Sequence, residues 1–370
     1  MSKIEEGCRL CVGVDLHKTQ FTVCAVDEDG NAVHEEEYPT DRMGYARFSR
    51  RMHIEERKGY SIEIAVESTG NARFFKNCME VEGFAVKVVN TNKFKVITMS
   101  TSKTDKHDAY TLAYYLWKGM LPESHLCSQT SEEIRRMLKT RSLLVQACVK
   151  IKNQIHGMML GYGIETSAAQ FQSKKKRQEL IGDLEGQDYS QFTASSLKLT
   201  IDILDNLEKE INRVEKQLEE MVRENDTVEL LQTVPGIGFI GATTIAAYTE
   251  DMERFDGNFK QFAAYLGIVP SVHDSNETHW MGKITKHGPQ DLRTAFVQVA
   301  LGIIRQKNKY SDWYLIKDYE YKKKEKGSGR AIIALTRKVA RIVFAMLNSR
   351  EVFDPARMVS GYPKQQQQAA

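Results

Sequence analysis

The apolar positions near the N-terminus fall in short runs with the two-residue period of strands. Val12-Gly13-Val14-Asp15-Leu16 is apolar until it ends in an acid. After the polar turn His17-Lys18-Thr19-Gln20, the run Phe21 to Val26 alternates apolar with small or polar residues, and Asp27-Glu28-Asp29-Gly30-Asn31 turns the chain into a third strand, His34 to Tyr38. The spacing becomes helical over Arg42 to Met52. Ile62-Glu63-Ile64-Ala65-Val66-Glu67 is a second apolar strand ending in a carboxylate, and Ser68-Thr69-Gly70-Asn71 is a turn able to cap a helix over Ala72 to Val81. A strand from Phe84 to Val89, a basic connection from Asn90 to Ser100 and an amphipathic helix opening at Asp105 complete the first third of the chain.

The order β-β-β-α-β-α-β-α is that of a ribonuclease H-like mixed sheet, so the expected class is α/β followed by α. Beyond it, Ile134, Leu138, Val145, Val149 and Ile155 predict one long helix from Ser131 to about Leu160. Gly161 to Ser195 is polar and poorly patterned. Leu197, Ile201, Leu204, Leu207, Ile211, Val214, Leu218 and Met221 then form a series close to a heptad seam, which predicts packing on the first helix or on a second protomer. Leu230 to Gly241, with Val234-Pro235-Gly236-Ile237-Gly238 at its centre, reads as the turn of a helix-hairpin-helix, whose free N–H groups suit a DNA phosphate. Phe262 to Val269 leads into Pro270 to Gly288, read as a polar loop that is basic towards Lys283 and Lys286. Helices follow over Asp291 to Gln306 and Arg330 to Leu347, the second with Arg337, Lys338 and Arg341 on a basic face. Pro363 to Ala370, with four Gln, reads as a disordered tail.

A chain of 370 residues exceeds one ordinary core, and 41% hydrophobic residues supply more than one. The formal charge of +3 does not by itself mark a nucleic-acid binder, but Lys87, Lys93, Lys95, Lys103 and Lys106, the stretch 135–152 and Lys174-Lys175-Lys176-Arg177 concentrate positive charge locally. No apolar run is long enough to span a membrane and the first residues lack a signal-peptide pattern, so the expected place is the cytoplasm. The six cysteines include one Cys-x-x-Cys pair, Cys8 and Cys11, without a second pair at zinc-ligand spacing, and are read as reduced thiols.

An unpaired carboxylate at the end of a buried strand is costly unless it is neutralised or bound to a cation. Asp15 and Glu67 both stand at such ends, and Asp105 and Asp108 share one face of a helix's first turn. Four hard oxygen donors of this kind suit Mg²⁺, with Mn²⁺ the alternative, and a pair of such ions can clamp the attacking and leaving oxygens of a phosphodiester. His17, Lys18 and His107 are near-site groups for phosphate or water. A kinase of the sugar-kinase or actin-like class opens with the same strand-Asp-turn-strand hairpin, but no Gly-rich nucleotide loop follows here and that chemistry gives the Asp105/Asp108 pair no role.

These pieces together resemble a DEDD transposase of the insertion-sequence 110 family over essentially the whole length. The resemblance rests on Val12 to Lys18, Glu67-Ser68-Thr69-Gly70, Asp105-x-x-Asp108-Ala109, Val234 to Gly238, Leu266-Gly267-Ile268-Val269-Pro270, Gly282 to Gly288 and Ala331 to Arg341. It implies a RuvC-like nuclease domain over 1–128, a coiled-coil segment over 129–226, a C-terminal transposase domain over 227–352 and a tail over 353–370. It further implies a DNA recombinase in which a serine nucleophile forms a covalent phosphoserine, while an element-encoded bridge RNA pairs donor and target DNA. The family's serine follows the Leu-Gly-x-Val-Pro box, which makes Ser275 the nucleophile here and Ser271 the fallback; the usual glycines are replaced by Asn276-Glu277. Lys18, Gly236, Gly238, Lys283, Lys286, Arg337 and Arg341 are the expected nucleic-acid contacts, and a dimer or tetramer built through the coiled coil is the expected assembly. The competing reading with the same acids is a Holliday-junction nuclease that uses metal-activated water.

Overall fold

The computed structural model describes residues 8–91, 93–94, 104–185, 191–275 and 278–359, without the side chains of 183–185, 273–275 and 278–281. The chain forms two compact units, Met1–Leu126 and Cys127–Ala370. Lys95 and Lys103 lie outside the described residues.

In the first unit β1 (Arg9–Leu16), β2 (Gln20–Val26), β3 (Ala32–Pro39), α1 (Arg42–Glu56), β4 (Ser61–Glu67), α2 (Ala72–Val81), β5 (Ala85–Val89) and α3 (Asp105–Trp117) follow in the order read from the sequence. The five strands make one sheet, β3-β2-β1-β4-β5, in which β1 is antiparallel to β2 and parallel to β4. β3 is an edge and carries exposed Glu35 and Glu37, charges that discourage further strand pairing. Because side chains alternate along a strand, β1 sorts its residues between two faces. Leu10, Val12, Val14 and Leu16 pack with Phe48 and Met52 of α1 and Phe75 and Met79 of α2, around stacked Phe21 and Tyr38. Cys11 faces the other way, in a cluster with Leu112 and Leu116 of α3. The layers are therefore α1 and α2, the mixed sheet, and α3.

The second unit is mainly helical. It contains α4 (Gln129–Leu160), α5 (Lys174–Glu185), α6 (Gln191–Met221), α7 (Asp226–Gln232), α8 (Phe239–Tyr248), α9 (Phe259–Tyr265), the hairpin β6 (Pro270–Ser275) and β7 (Thr278–Ile284), α10 (Gln290–Arg305), α11 (Tyr314–Lys326), α12 (Ser328–Ser349) and α13 (Ala356–Val359). The heptad-like series finds its partner within the chain. Leu197, Ile201 and Leu204 bury themselves against Cys148, Ile155 and Met159, while Val214 and Leu218 join Ile134 and Leu138. Arg141 to Glu215 at 2.6 Å and Lys152 to Glu208 at 3.4 Å tie the same two helices together.

Three sequence expectations change. Pro270 to Gly288 is a β-hairpin over most of its length rather than a loop. The unpatterned stretch contains α5, and Arg177, counted in the sequence among the local concentrations of positive charge, is 4% exposed, donates to the Phe171 carbonyl at 2.7 Å and contacts Asp205 at 2.6 Å. Phe353 and Met358 are buried in the core of this unit, so packed chain continues past the expected start of the tail; Pro363 to Ala370 lie outside the described residues. Among the described residues no helix is long and apolar enough to cross a membrane.

Candidate active site

Asp15 sits on the face of β1 opposite Val14 and Leu16, two positions after Gly13. A Cβ on Gly13 would lie 2.0 Å from the Ala109 carbonyl oxygen and 2.5 Å from the Ala113 nitrogen, so the bare glycine lets the α3 backbone rest directly on the strand. That contact brings the start of α3 to the end of β1. Thr104 caps the helix by accepting from the His107 N–H at 3.2 Å, and Asp105 and Asp108 occupy its first turn. Val14 pairs with Val66 in the parallel ladder, so Asp15 and Glu67 finish neighbouring strands at the same end of the sheet.

Asp15 is 7% exposed. Its Oδ2 meets His17 Nε2 at 3.1 Å, and the same nitrogen lies 3.5 Å from Asp105 Oδ1. Asp15, His17 and Asp105 each offer one donor atom within 4.8 Å of the others. Burial pushes the Asp15 carboxyl above the usual carboxylate range; His17 pulls it down, and the charges of Asp105 and Asp108 push it further up. Asp108 adds a buried Oδ1 without a hydrogen-bond partner. A buried carboxylate whose charged form is disfavoured, together with an orphaned carboxylate oxygen in the first turn of α3, is a donor set that fits a divalent cation.

The turn after β1 is fixed from three sides. The His17 N–H donates to the Gln20 carbonyl at 3.0 Å, and the His17 carbonyl accepts from the Thr40 hydroxyl and from Asn71 Nδ2, each at 3.1 Å. The Thr69 hydroxyl donates to Asn71 Oδ1 at 2.9 Å. Asn71 was not singled out from the sequence as a site residue, although it ends the turn that follows Glu67. Lys18 and His107 are exposed beside the cluster.

In the second unit, Ser271 is half-buried near the start of β6, and Ser275 ends that strand with its backbone paired to Thr278. The Ser275 side chain, Asn276 and Glu277 lie outside what is described. Gly236 has a φ of 91° and packs against the Val299 carbonyl and Ile303 of α10, so its first task is to let helices approach; Gly238 is the exposed N-cap of α8. Lys283 is exposed on β7, and Lys286, at a φ of 55°, is held by its N–H to the Gly267 carbonyl at 3.1 Å. On α12 Arg337 is half-buried and Arg341 lies 4.7 Å from the Phe259 ring, whereas Lys338 is already paired with Asp318 at 3.0 Å.

Comparison with known proteins gives two family matches. Residues 12–164 match the DEDD transposase family of IS110, described as "Transposase", and residues 228–315 match the "Transposase IS116/IS110/IS902 family". The chain is similar to the transposase for insertion sequence element IS1111A of Coxiella burnetii, with 24% identity covering 92% of this chain and 90% of the relative. It is also similar to a probable family 20 transposase of Pseudomonas aeruginosa, with 25% identity over 93% and 98% of the two chains. The transposase for insertion sequence element IS1328 of Yersinia enterocolitica is 24% identical over 92% and 98%.

Proposed function

Because the chain belongs to the IS110 family of transposases, enzymes that cut and join DNA, we propose that it is an RNA-guided recombinase of its own insertion sequence, working in the cytoplasm on donor and target DNA bridged by an element-encoded RNA. In this reading the first unit is RuvC-like, and Asp15, Glu67, Asp105 and Asp108 hold Mg²⁺, or Mn²⁺ in its place. Bound there, the divalent ion supplies Lewis-acid stabilisation of charge on the phosphate. The observation that carries the reading is the convergence of Asp15, His17 and Asp105 beside the orphaned Asp108 oxygen.

Ser275 is the nucleophile of this proposal. Its Oγ attacks the phosphorus, a serine-phosphate bond forms as the bond to the leaving strand oxygen breaks, and the reverse exchange rejoins a new strand. One phosphodiester-level bond replaces another throughout, so exchange needs no ATP. Lys18, Lys283, Lys286, Arg337 and Arg341 contact nucleic-acid phosphates, with Gly236 and Gly238 shaping a helix-hairpin-helix that presents backbone N–H groups. The protein works as a dimer or tetramer.

The test is covalent capture. DNA bearing the element's junction, incubated with protein, Mg²⁺ and the element's RNA, yields a denaturation-resistant protein-DNA adduct that Ser275→Ala abolishes and Ser271→Ala keeps. Loss of the adduct only in Ser271→Ala moves the nucleophile to that residue. Clean Mg²⁺-dependent cutting of branched DNA with no adduct in the wild type replaces this reading with that of a junction nuclease using water.

A further inference from the structure

We propose that His17 is a direct ligand of the divalent ion, making the site a mixed nitrogen and oxygen centre that prefers Mn²⁺ to Mg²⁺; the inference rests on the reading of Asp15 and Asp105 as metal ligands. Adjacent ligands of an octahedral ion with bonds of about 2.0–2.1 Å lie about 2.9 Å apart. His17 Nε2 stands 3.1 Å from Asp15 Oδ2 and 3.5 Å from Asp105 Oδ1, and all three atoms lie within 4.8 Å of one another, so the nitrogen is within about 0.6 Å of the ligand spacing to each carboxylate. The ring is half-exposed, and burial therefore does not account for its place between two carboxylates.

Its position is built from the backbone outward. Thr40, following β3, and Asn71, preceding α2, both donate to the His17 carbonyl, and Thr69 orients the Asn71 amide in turn. Two separate segments thus fix where the imidazole starts, the support that metal-ligating residues need to hold their geometry. This also gives the Thr69-Gly70-Asn71 turn a purpose other than the expected capping, since the Asn71 side chain makes no cap hydrogen bond to α2 and reaches the His17 carbonyl instead. An imidazole nitrogen suits first-row transition ions, whereas Mg²⁺ takes oxygen ligands and sheds its water reluctantly.

Pulsed electron paramagnetic resonance on the full-length protein titrated with Mn²⁺ decides the point. A nitrogen coupling of a directly bound imidazole is expected in the wild type and absent in His17→Gln and His17→Ala, with Mn²⁺ affinity falling roughly tenfold or more and Mg²⁺ affinity changing far less. Asn71→Ala is expected to weaken the coupling without removing it, while circular dichroism confirms that each variant is folded. Mn²⁺ binding that depends on Asp15 but shows no nitrogen coupling overturns the role of His17 and leaves the acid site standing. Absence of Mn²⁺ binding, or binding undiminished in Asp15→Asn, overturns the acid site itself.

Discussion

At Asp15 burial and like charge both disfavour the anion, because the strand delivers the carboxylate to a position 7% exposed and Asp105 and Asp108 crowd it, while His17 opposes them. A group whose folded pKa is raised is a destabilising anion at neutral pH in the metal-free protein. Asp15→Asn keeps the volume and removes that charge, so its thermal midpoint without metal should equal or exceed that of the wild type while DNA cleavage disappears. A variant that unfolds would make Asp15 structural, and one that cleaves normally would remove it from the site. Gly13 is the companion case. Adding its methyl group drives a Cβ into the Ala109 carbonyl, which belongs to helix backbone and cannot turn aside. Gly13→Ala is expected to cost about 1–3 kcal/mol and to abolish cleavage by displacing Asp105 and Asp108. Gly70→Ala, with open space around its Cβ, should stay within about 0.5 kcal/mol of the wild type in the same denaturation series.

Elements were legible where periodicity and burial agree. The strands ending in Asp15 and Glu67 announce themselves because they are apolar up to an acid, and α2 begins and ends where its spacing predicts. The β6–β7 hairpin was not legible, because Ser271, His273, Asp274 and Thr278 interrupt the alternation that marks a half-buried strand. α5 opens on three lysines and a buried arginine whose ion partners lie on α6, a distant contact that no local window contains. His17 was legible as a group near the site, but the contacts that hold its backbone were not, since Thr40 and Asn71 reach it from distant parts of the sequence. A further distant link joins α4 to the end of α8. Glu250 accepts the Ser128 N–H at 2.7 Å and the hydroxyls of Ser128 and Ser131. Burial alone would raise its pKa, but these bonds, with Arg135 nearby, hold it below its ordinary value of 4.5. A depressed carboxylate contributes stability above its unfolded pKa and loses it as pH falls through the folded value. The wild type should therefore be more stable than Glu250→Gln at pH 7, with the gap in urea midpoints closing below pH 4.5; a gap independent of pH would sink this assignment.

For the whole molecule, the paired helices change the argument for assembly. Since α4 already fills the seam of α6, a second copy has to use another surface. Phe192, Leu199 and Ile203 on α6 are 77%, 62% and 50% exposed. At about 100° per residue they form one stripe roughly opposite Leu197, Ile201 and Leu204. An apolar stripe left in water is a natural contact between copies. In the proposed reaction the four acids belong to the first unit and Ser275 to the second, so the set of reacting groups it requires would come either from one copy or from two. Mixing separates these cases. Asp15→Asn and Ser275→Ala are each expected to be inactive alone, and if neighbouring copies exchange units their mixture regains adduct formation, up to about a quarter of wild-type activity for random pairing of two chains with one competent site. Adding Leu199→Glu and Ile203→Glu to both proteins should then remove the recovery and lower the mass seen by light scattering. No recovery, with the wild type active under the same conditions, means that each copy uses its own acids and serine; recovery that survives the two glutamates means that the copies meet elsewhere than on this stripe.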